Sequence, residues 1–254
     1  MSHSDGNPAN NTLRKEARAQ KDFRQKDYSI QCMNNRFTDV WERRKNIQLN
    51  VTKYWIDNDW TKGRNQYLTF HVRIRDEELI EKIVKIQSRL SANACVAPFP
   101  KDYFHISVAG LGFLAKSEEY EDDVLIENLE RIVNQAKEIL QPFSSFDVVF
   151  SKLNIFPDVV FMEVHDEGKI EEIFRRLQAI PEIRKRKFDY PSFLPHISIM
   201  HFQENKDFTR LIGYLEKLRD AEFGKMTVHF IELVNAHLLK KYPKLNTIHT
   251  FELR

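Results

Sequence analysis

From Gln66 onward the chain alternates between two hydrophobic periods, one of about two residues and one of about 3.6. Residues 67–75 read as a strand, with Leu68, Phe70, Val72 and Ile74 on one face and Thr69, His71 and Arg73 on the other. Residues 77–91 follow as an amphipathic helix whose stripe is Leu79, Ile83, Ile86 and Leu90. A strand at 103–114, a helix at 121–140 and a strand at 146–153 complete a first unit. The order then repeats: strand 159–165, helix 168–180, strand 193–202, helix 208–219 and strand 226–233, with a last strand at 246–253. A doubled β-α-β-α-β order predicts an α+β fold of two lobes, at about 66–154 and 155–254. Each lobe is expected to be a mostly antiparallel sheet lining a central cleft, with helices outside.

The start of the chain lacks this regularity. Residues 1–27 mix Asn, Ser, Gln, Lys and Arg without an apolar period and read as a mobile polar and basic tail. Residues 28–65 carry Phe37, Trp41, Tyr54, Trp55 and Trp60, too much aromatic surface to leave in water, so this extension is expected to pack on the body. The 39 basic residues nearly balance the 37 acidic ones, so any attraction for anions must be local. Cys32 and Cys95 form neither a CxxC pair nor a disulfide framework. No leader or long apolar run stands out, and the expected setting is soluble and cytoplasmic, away from membranes.

The chemistry concentrates in a pattern that occurs twice, His105-Ile106-Ser107-Val108 and His196-Ile197-Ser198-Ile199, each inside a predicted strand and at equivalent places in the two units. Alternation puts His105 beside Ser107 and His196 beside Ser198 on one face of each strand. Two imidazoles and two hydroxyls suit general acid–base cleavage of a phosphodiester, the histidines moving protons and Ser107 and Ser198 bonding the non-bridging oxygens. Which histidine is acid and which is base stays open. The same parity leaves Phe161, Glu163 and His165 opposite the apolar set of strand 159–165. Candidate substrate contacts are therefore His71 and Arg73 for phosphate, Phe161 for a base, and Arg184, Lys185, Arg186 and Lys187 in the loop before the second motif. No H-E-x-x-H or paired-Cys spacing points to a metal, no G-x-S-x-G elbow to a serine hydrolase and no glycine-rich loop to a nucleotide triphosphatase. No cofactor and no metal requirement are expected.

The doubled motif, the Pro98-Phe99-Pro100-Lys101 run before the first copy, the Phe156–Phe161 run opening the second unit and Leu194-Pro195 before the second histidine resemble the two-histidine phosphoesterase superfamily. Within it the chain is most similar to the RNA 2′,3′-cyclic phosphodiesterase and 2′-5′ RNA ligase branch, over residues 66–254. That resemblance implies a bilobal fold, metal-free chemistry and RNA ends or small nucleotides as substrate. The expected activity is opening of a 2′,3′-cyclic phosphate, with 2′-5′ ligation as a reverse reaction. A 3′ exonuclease, a 2′-5′ oligonucleotide phosphodiesterase and a non-catalytic RNA-binding module are the alternatives. There is one departure: several family members carry an arginine where this chain has His201. Parity sends His201 away from His196 unless the strand is bulged.

Overall fold

The computed structural model describes residues 33–43, 45, 49, 51, 58–183 and 193–254. The tail at 1–27, Cys32, Tyr54, Trp55 and the basic run Arg184–Lys187 lie outside these residues.

Helix α1 spans residues 33–43 and α2 is a single turn, Asn58–Thr61. The repeating body begins with β1 (Gln66–Arg73) and α3 (Glu77–Leu90). Asp76 caps α3 by accepting a hydrogen bond from the Leu79 amide at 2.7 Å, and the expected stripe of Leu79, Ile83, Ile86 and Leu90 is buried. Next come β2 (Val96–Pro98), β3 (His105–Ala115), β4 (Asp123–Leu125), α4 (Leu129–Leu140) and β5 (Phe146–Ile155). The second unit is β6 (Val159–His165), α5 (Lys169–Leu177), β7 (His196–Phe202), α6 (Phe208–Glu216), β8 (Glu222–Val228), β9 (Phe230–His237) and β10 (Lys244–Glu252).

Two of these elements differ from the hydrophobic pattern. The helix expected at 121–140 starts only at Leu129, because Asp123 is spent on a turn. Its carboxylate accepts from the Glu119 and Tyr120 amides and from Arg64, and β4 then pairs in parallel with β3. Gly112 makes that approach possible: at φ +138° it lies where a Cβ would fall 2.3 Å from the Asp122 carbonyl oxygen. The single strand expected at 226–233 is two strands, broken at His229, because its parts belong to opposite ends of the sheet.

All ten strands form one sheet, ordered β10-β9-β1-β3-β7-β6-β5-β8 with β2 on β7 and β4 on β3. Only His229 separates β8, at one edge, from β9, next to the other. The sheet therefore has to curl into a half-barrel. The Leu253 amide donates to the His229 carbonyl at 2.8 Å and the Arg254 amide to that of Phe143 at 3.0 Å, tying the two ends together. Two halves are still evident, since β3 and β7 meet through one residue pair, Ile106 and Ile197. They are not contiguous in sequence, however. β5, the third strand of the first unit, pairs with β6 and β8, while β9, from the second unit, pairs with β1. The expected division at 154/155 gives way to two interlocked units. The helices interlock as well, α3 packing on β2, β7 and β8 and α5 on β3.

Helix α1 lies on the concave face. Its Met33, Phe37 and Trp41, spaced four residues apart, are buried in the main core. Phe37 meets the rings of Phe161 and His165 at 6.3 and 5.1 Å, and Asn154 donates to the Phe37 carbonyl at 3.0 Å. Arg36 bridges to Glu171 of α5 and donates to the Phe193 carbonyl beside β7. This part of the 28–65 extension is an integral wall of the body. Among the described residues no helix is long and apolar enough to cross a membrane. Replacing Phe37 with alanine should cost about 3–5 kcal/mol of stability, the range for removing a buried phenylalanine; urea unfolding of the full chain checks this.

Candidate active site

The pairing register decides what faces the concave side. On β1 and β3, Arg73 is opposite His105 and His71 opposite Ser107; on β6 and β7, Glu163 is opposite His196 and Phe161 opposite Ser198. Each histidine strand then carries one unpaired extra residue three positions after its histidine, Val108 in β3 and Ile199 in β7. The bulges match, and each turns the strand beyond it over. In β7 this moves His201 to the same face as His196. The bulge that would overturn simple alternation is present.

The contact of Ile106 with Ile197 brings the two motifs together. In an antiparallel pair the residue before one partner lies beside the residue after the other, so His105 is set near Ser198 and Ser107 near His196. These four side chains and Tyr103 line one cavity of about 150 Å³. Both imidazoles are held alike. His105 Nδ1 donates to the Tyr103 carbonyl at 2.6 Å and His196 Nδ1 to the Leu194 carbonyl at 2.7 Å. A carbonyl only accepts, so each neutral ring carries its proton on Nδ1 and keeps the Nε2 lone pair for the cavity.

The surroundings of the two rings differ. His105 lies between Tyr103 and His71, at centroid distances of 5.1 and 5.0 Å. His196 lies between Phe156 and Phe161, both at 5.1 Å. Burial lowers the proton affinity of both. For His105 the cationic forms of His71 and His196 and the charge of Arg73 add repulsion, and it titrates down at about 3. With no anion bound, both histidines are neutral at pH 7.

Behind His105 sits a charged network. The buried carboxylate of Glu232 accepts from His71 Nε2 and Arg73 Nε, each at 3.1 Å, from Thr247 at 3.2 Å and from Arg75. These donors hold it at about 2 despite its burial. The equivalent network behind His196 is built on Glu163, which accepts from Asn154 at 2.8 Å, His165 at 3.1 Å and Arg219 at 2.6 Å. Alternation alone could not reveal either network, since Glu232, Asn154 and Arg219 come from strands and a loop outside the motifs.

These facts sort the expected substrate contacts. His71 is fully buried against Glu232 and His105, so it cannot touch a ligand directly. Phe161 is also fully buried, stacked on Phe156 at 4.3 Å and covered by Phe37. Base stacking on it is closed off by helix α1. Arg73 is partly exposed beside the cleft, engaged with Glu232. Sequence reasoning missed Tyr103, although it precedes the first motif by two residues, the spacing at which a strand side chain shares the histidine's face. Among the described residues no group of three or more His, Cys, Asp or Glu side chains is arranged to hold a metal ion.

Residues 71–237 match the 2′-5′ RNA ligase superfamily, more than half of the chain and both histidine strands. The chain belongs to this superfamily. The fold agrees with solved structures. TT0787 of Thermus thermophilus superposes with a TM-score of 0.56 at 20% identity, over 74% of this chain and 98% of that one. E. coli LigT complexed with 3′-AMP gives 0.54 at 15% identity, over 75% and 99%. Among curated proteins none matches the sequence. Helix α1 precedes the part of the chain matched to the superfamily.

The depressed histidines give this superfamily member a defined acid sensitivity. His71, His105, His196 and His201 all have lowered proton affinity in the fold, whereas the unfolded chain takes up these protons near ~6.5. Below that pH the unfolded state binds more protons, so stability should be flat above pH 7 and fall as pH drops from about 6.5 toward 3. The lowered carboxylates Glu163 and Glu232 keep their stabilising charge throughout the upper part of this range. Urea midpoints at pH 7.5, 6 and 5 should decline progressively, and less steeply in His105→Asn.

Proposed function

We propose that this protein is a phosphodiesterase that opens 2′,3′-cyclic phosphates on RNA ends or nucleotides by paired-histidine acid–base catalysis. The observation that carries the reading is the convergence of two equivalently held imidazoles, His105 and His196, with Ser107 and Ser198 in one cavity. Membership of the 2′-5′ RNA ligase superfamily supports it. So do the complexes of the structural neighbour LigT with 3′-AMP, ATP and phosphate.

In the hydrolytic step a neutral imidazole Nε2 removes a proton from water as its oxygen bonds to phosphorus. The bond from phosphorus to one ribose oxygen breaks in line, and the other imidazole, protonated, gives that oxygen its proton. The Ser107 and Ser198 hydroxyls donate to the non-bridging oxygens as charge builds on them. The product carries a phosphomonoester on one ribose oxygen and a free hydroxyl at the other. Ligation is the same step with a ribose 5′-hydroxyl in place of water, giving a phosphodiester, so the one site serves either acceptor. A bound phosphodiester also supplies the negative charge that the cavity lacks, which raises the proton affinity of the nearby imidazoles and provides the acid.

Hydrolysis of a 2′,3′-cyclic-phosphate-ended oligoribonucleotide in the presence of chelator tests this reading. Turnover should persist in chelator. It should fall by roughly 10²–10⁴-fold in His105→Ala and in His196→Ala, the usual contribution of a general acid or base, and by less in Ser107→Ala or Ser198→Ala. Saturable binding without turnover by folded protein would instead identify a binding module, and cleavage confined to ordinary 3′ or 2′-5′ linkages would identify the exonuclease or oligonucleotide phosphodiesterase.

A further inference from the structure

Among the described residues, the turn between β9 and β10 and the start of β10 form a basic exposed segment. Lys240, Lys241 and Lys244 are all exposed, and so is Lys101, two residues before Tyr103. None of the four is in an ion pair with a described residue. Four such lysines on a chain with nearly balanced charge form a local positive field rather than a share of a global one.

What separates this turn from an ordinary solvated loop is that it is tied to the catalytic cavity by side chains. The Tyr242 hydroxyl donates to the Pro98 carbonyl at 3.2 Å and is hydrogen-bonded to His201 Nε2 at 3.0 Å. Its ring meets Phe99 at 5.9 Å and Tyr103 at 6.4 Å. Tyr103 in turn lines the cavity, contacts His105 at 5.1 Å and lies stacked on Phe99 at 5.5 Å. His201 reaches Tyr242 because of the bulge at Ile199, and Lys241 sits 5.5 Å from the Tyr242 ring. The turn is thus fixed at the rim, on the His105 side. On the opposite side Phe37 of helix α1 covers Phe161.

We propose that the β9–β10 turn, held by Tyr242, is the surface that binds the RNA backbone upstream of the reacting end, with Lys240, Lys241 and Lys244 contacting phosphates. This rests on the cyclic-phosphodiesterase reading and adds a preference for oligonucleotides over mononucleotides. A positive rim next to partly exposed aromatic rings is the combination that tracks single-stranded nucleic acid without reading its sequence.

The test is the triple variant Lys240→Glu/Lys241→Glu/Lys244→Glu, whose sites are exposed and outside the catalytic cavity. Binding of an oligoribonucleotide ending in a 3′-phosphate is measured by fluorescence anisotropy across salt concentrations, alongside turnover of a cyclic-phosphate-ended oligoribonucleotide and of a 2′,3′-cyclic mononucleotide. Oligonucleotide affinity should drop at least about tenfold at low salt, and the slope of log K against log salt should flatten by roughly 2, at about 0.7 per phosphate contact for a single strand. Mononucleotide turnover should be unchanged. Unaltered oligonucleotide binding and slope, or equal losses on both substrates, would overturn the proposal. If wild-type protein turns over neither substrate, the phosphodiesterase reading fails, and the anisotropy comparison still decides whether the turn binds RNA.

Discussion

One cross-strand contact organises this molecule: Ile106 of β3 against Ile197 of β7. Each isoleucine lies between the histidine and the serine of its motif, so pairing the two fixes all four candidate side chains relative to one another. Among the described residues it is the single ladder pair between these two strands, yet it links the two halves of a ten-stranded sheet. Such a short seam survives because the halves are joined elsewhere. The exchange of β5 and β9, the placement of α3 and α5 across the seam and the tie between β10 and His229 all resist separation. The cavity can therefore open at a place where few ladder hydrogen bonds form without splitting the protein in two.

The matched bulges at Val108 and Ile199 show how closely the halves correspond, and the residues opposite the histidines show where they part. Arg73 faces His105 where Glu163 faces His196, and His71 faces Ser107 where Phe161 faces Ser198. A common backbone thus presents two chemically distinct walls. The polar wall is stabilised from behind by Glu232, which balances Arg73 and Arg75, while the aromatic wall is stabilised by Phe156 and by helix α1. Acid and base roles differ in any proton-transfer reaction, and a site with unlike walls has the means to keep them apart.

The sequence made much of this legible, because alternation in a half-buried strand is a strict rule and the histidine motif was doubled. The faces of His105, Ser107, His196 and Ser198 followed from parity alone, as did those of His71 and Phe161 in their own strands. What parity could not supply is what covers a face. Phe161 lies on the concave side as expected, but Phe37, more than a hundred residues away, fills the space in front of it. His71 likewise points inward, where Glu232 meets it. The exchange of third strands was equally hidden, since β-α-β-α-β order is the same whether a unit pairs with itself or with its neighbour. His201 was readable only conditionally, and the condition was a bulge whose single extra residue leaves no composition signal.

The low proton affinity of the histidines is a property of the cavity before an anion enters it. Among the described residues neither ring has a carboxylate partner: each Nδ1 is held by a backbone carbonyl, which orients the ring but brings no full negative charge. The carboxylates nearby are engaged, Glu232 with His71, Arg73 and Arg75, and Glu163 with His165 and Arg219. A carboxylate on either ring would have raised that imidazole's proton affinity. With these charges spent behind the histidines, the proposed phosphodiester substrate would be the counter-charge. In the proposed reaction, ligand binding and protonation are then linked: the anion to be cleaved draws in the proton that its leaving oxygen takes.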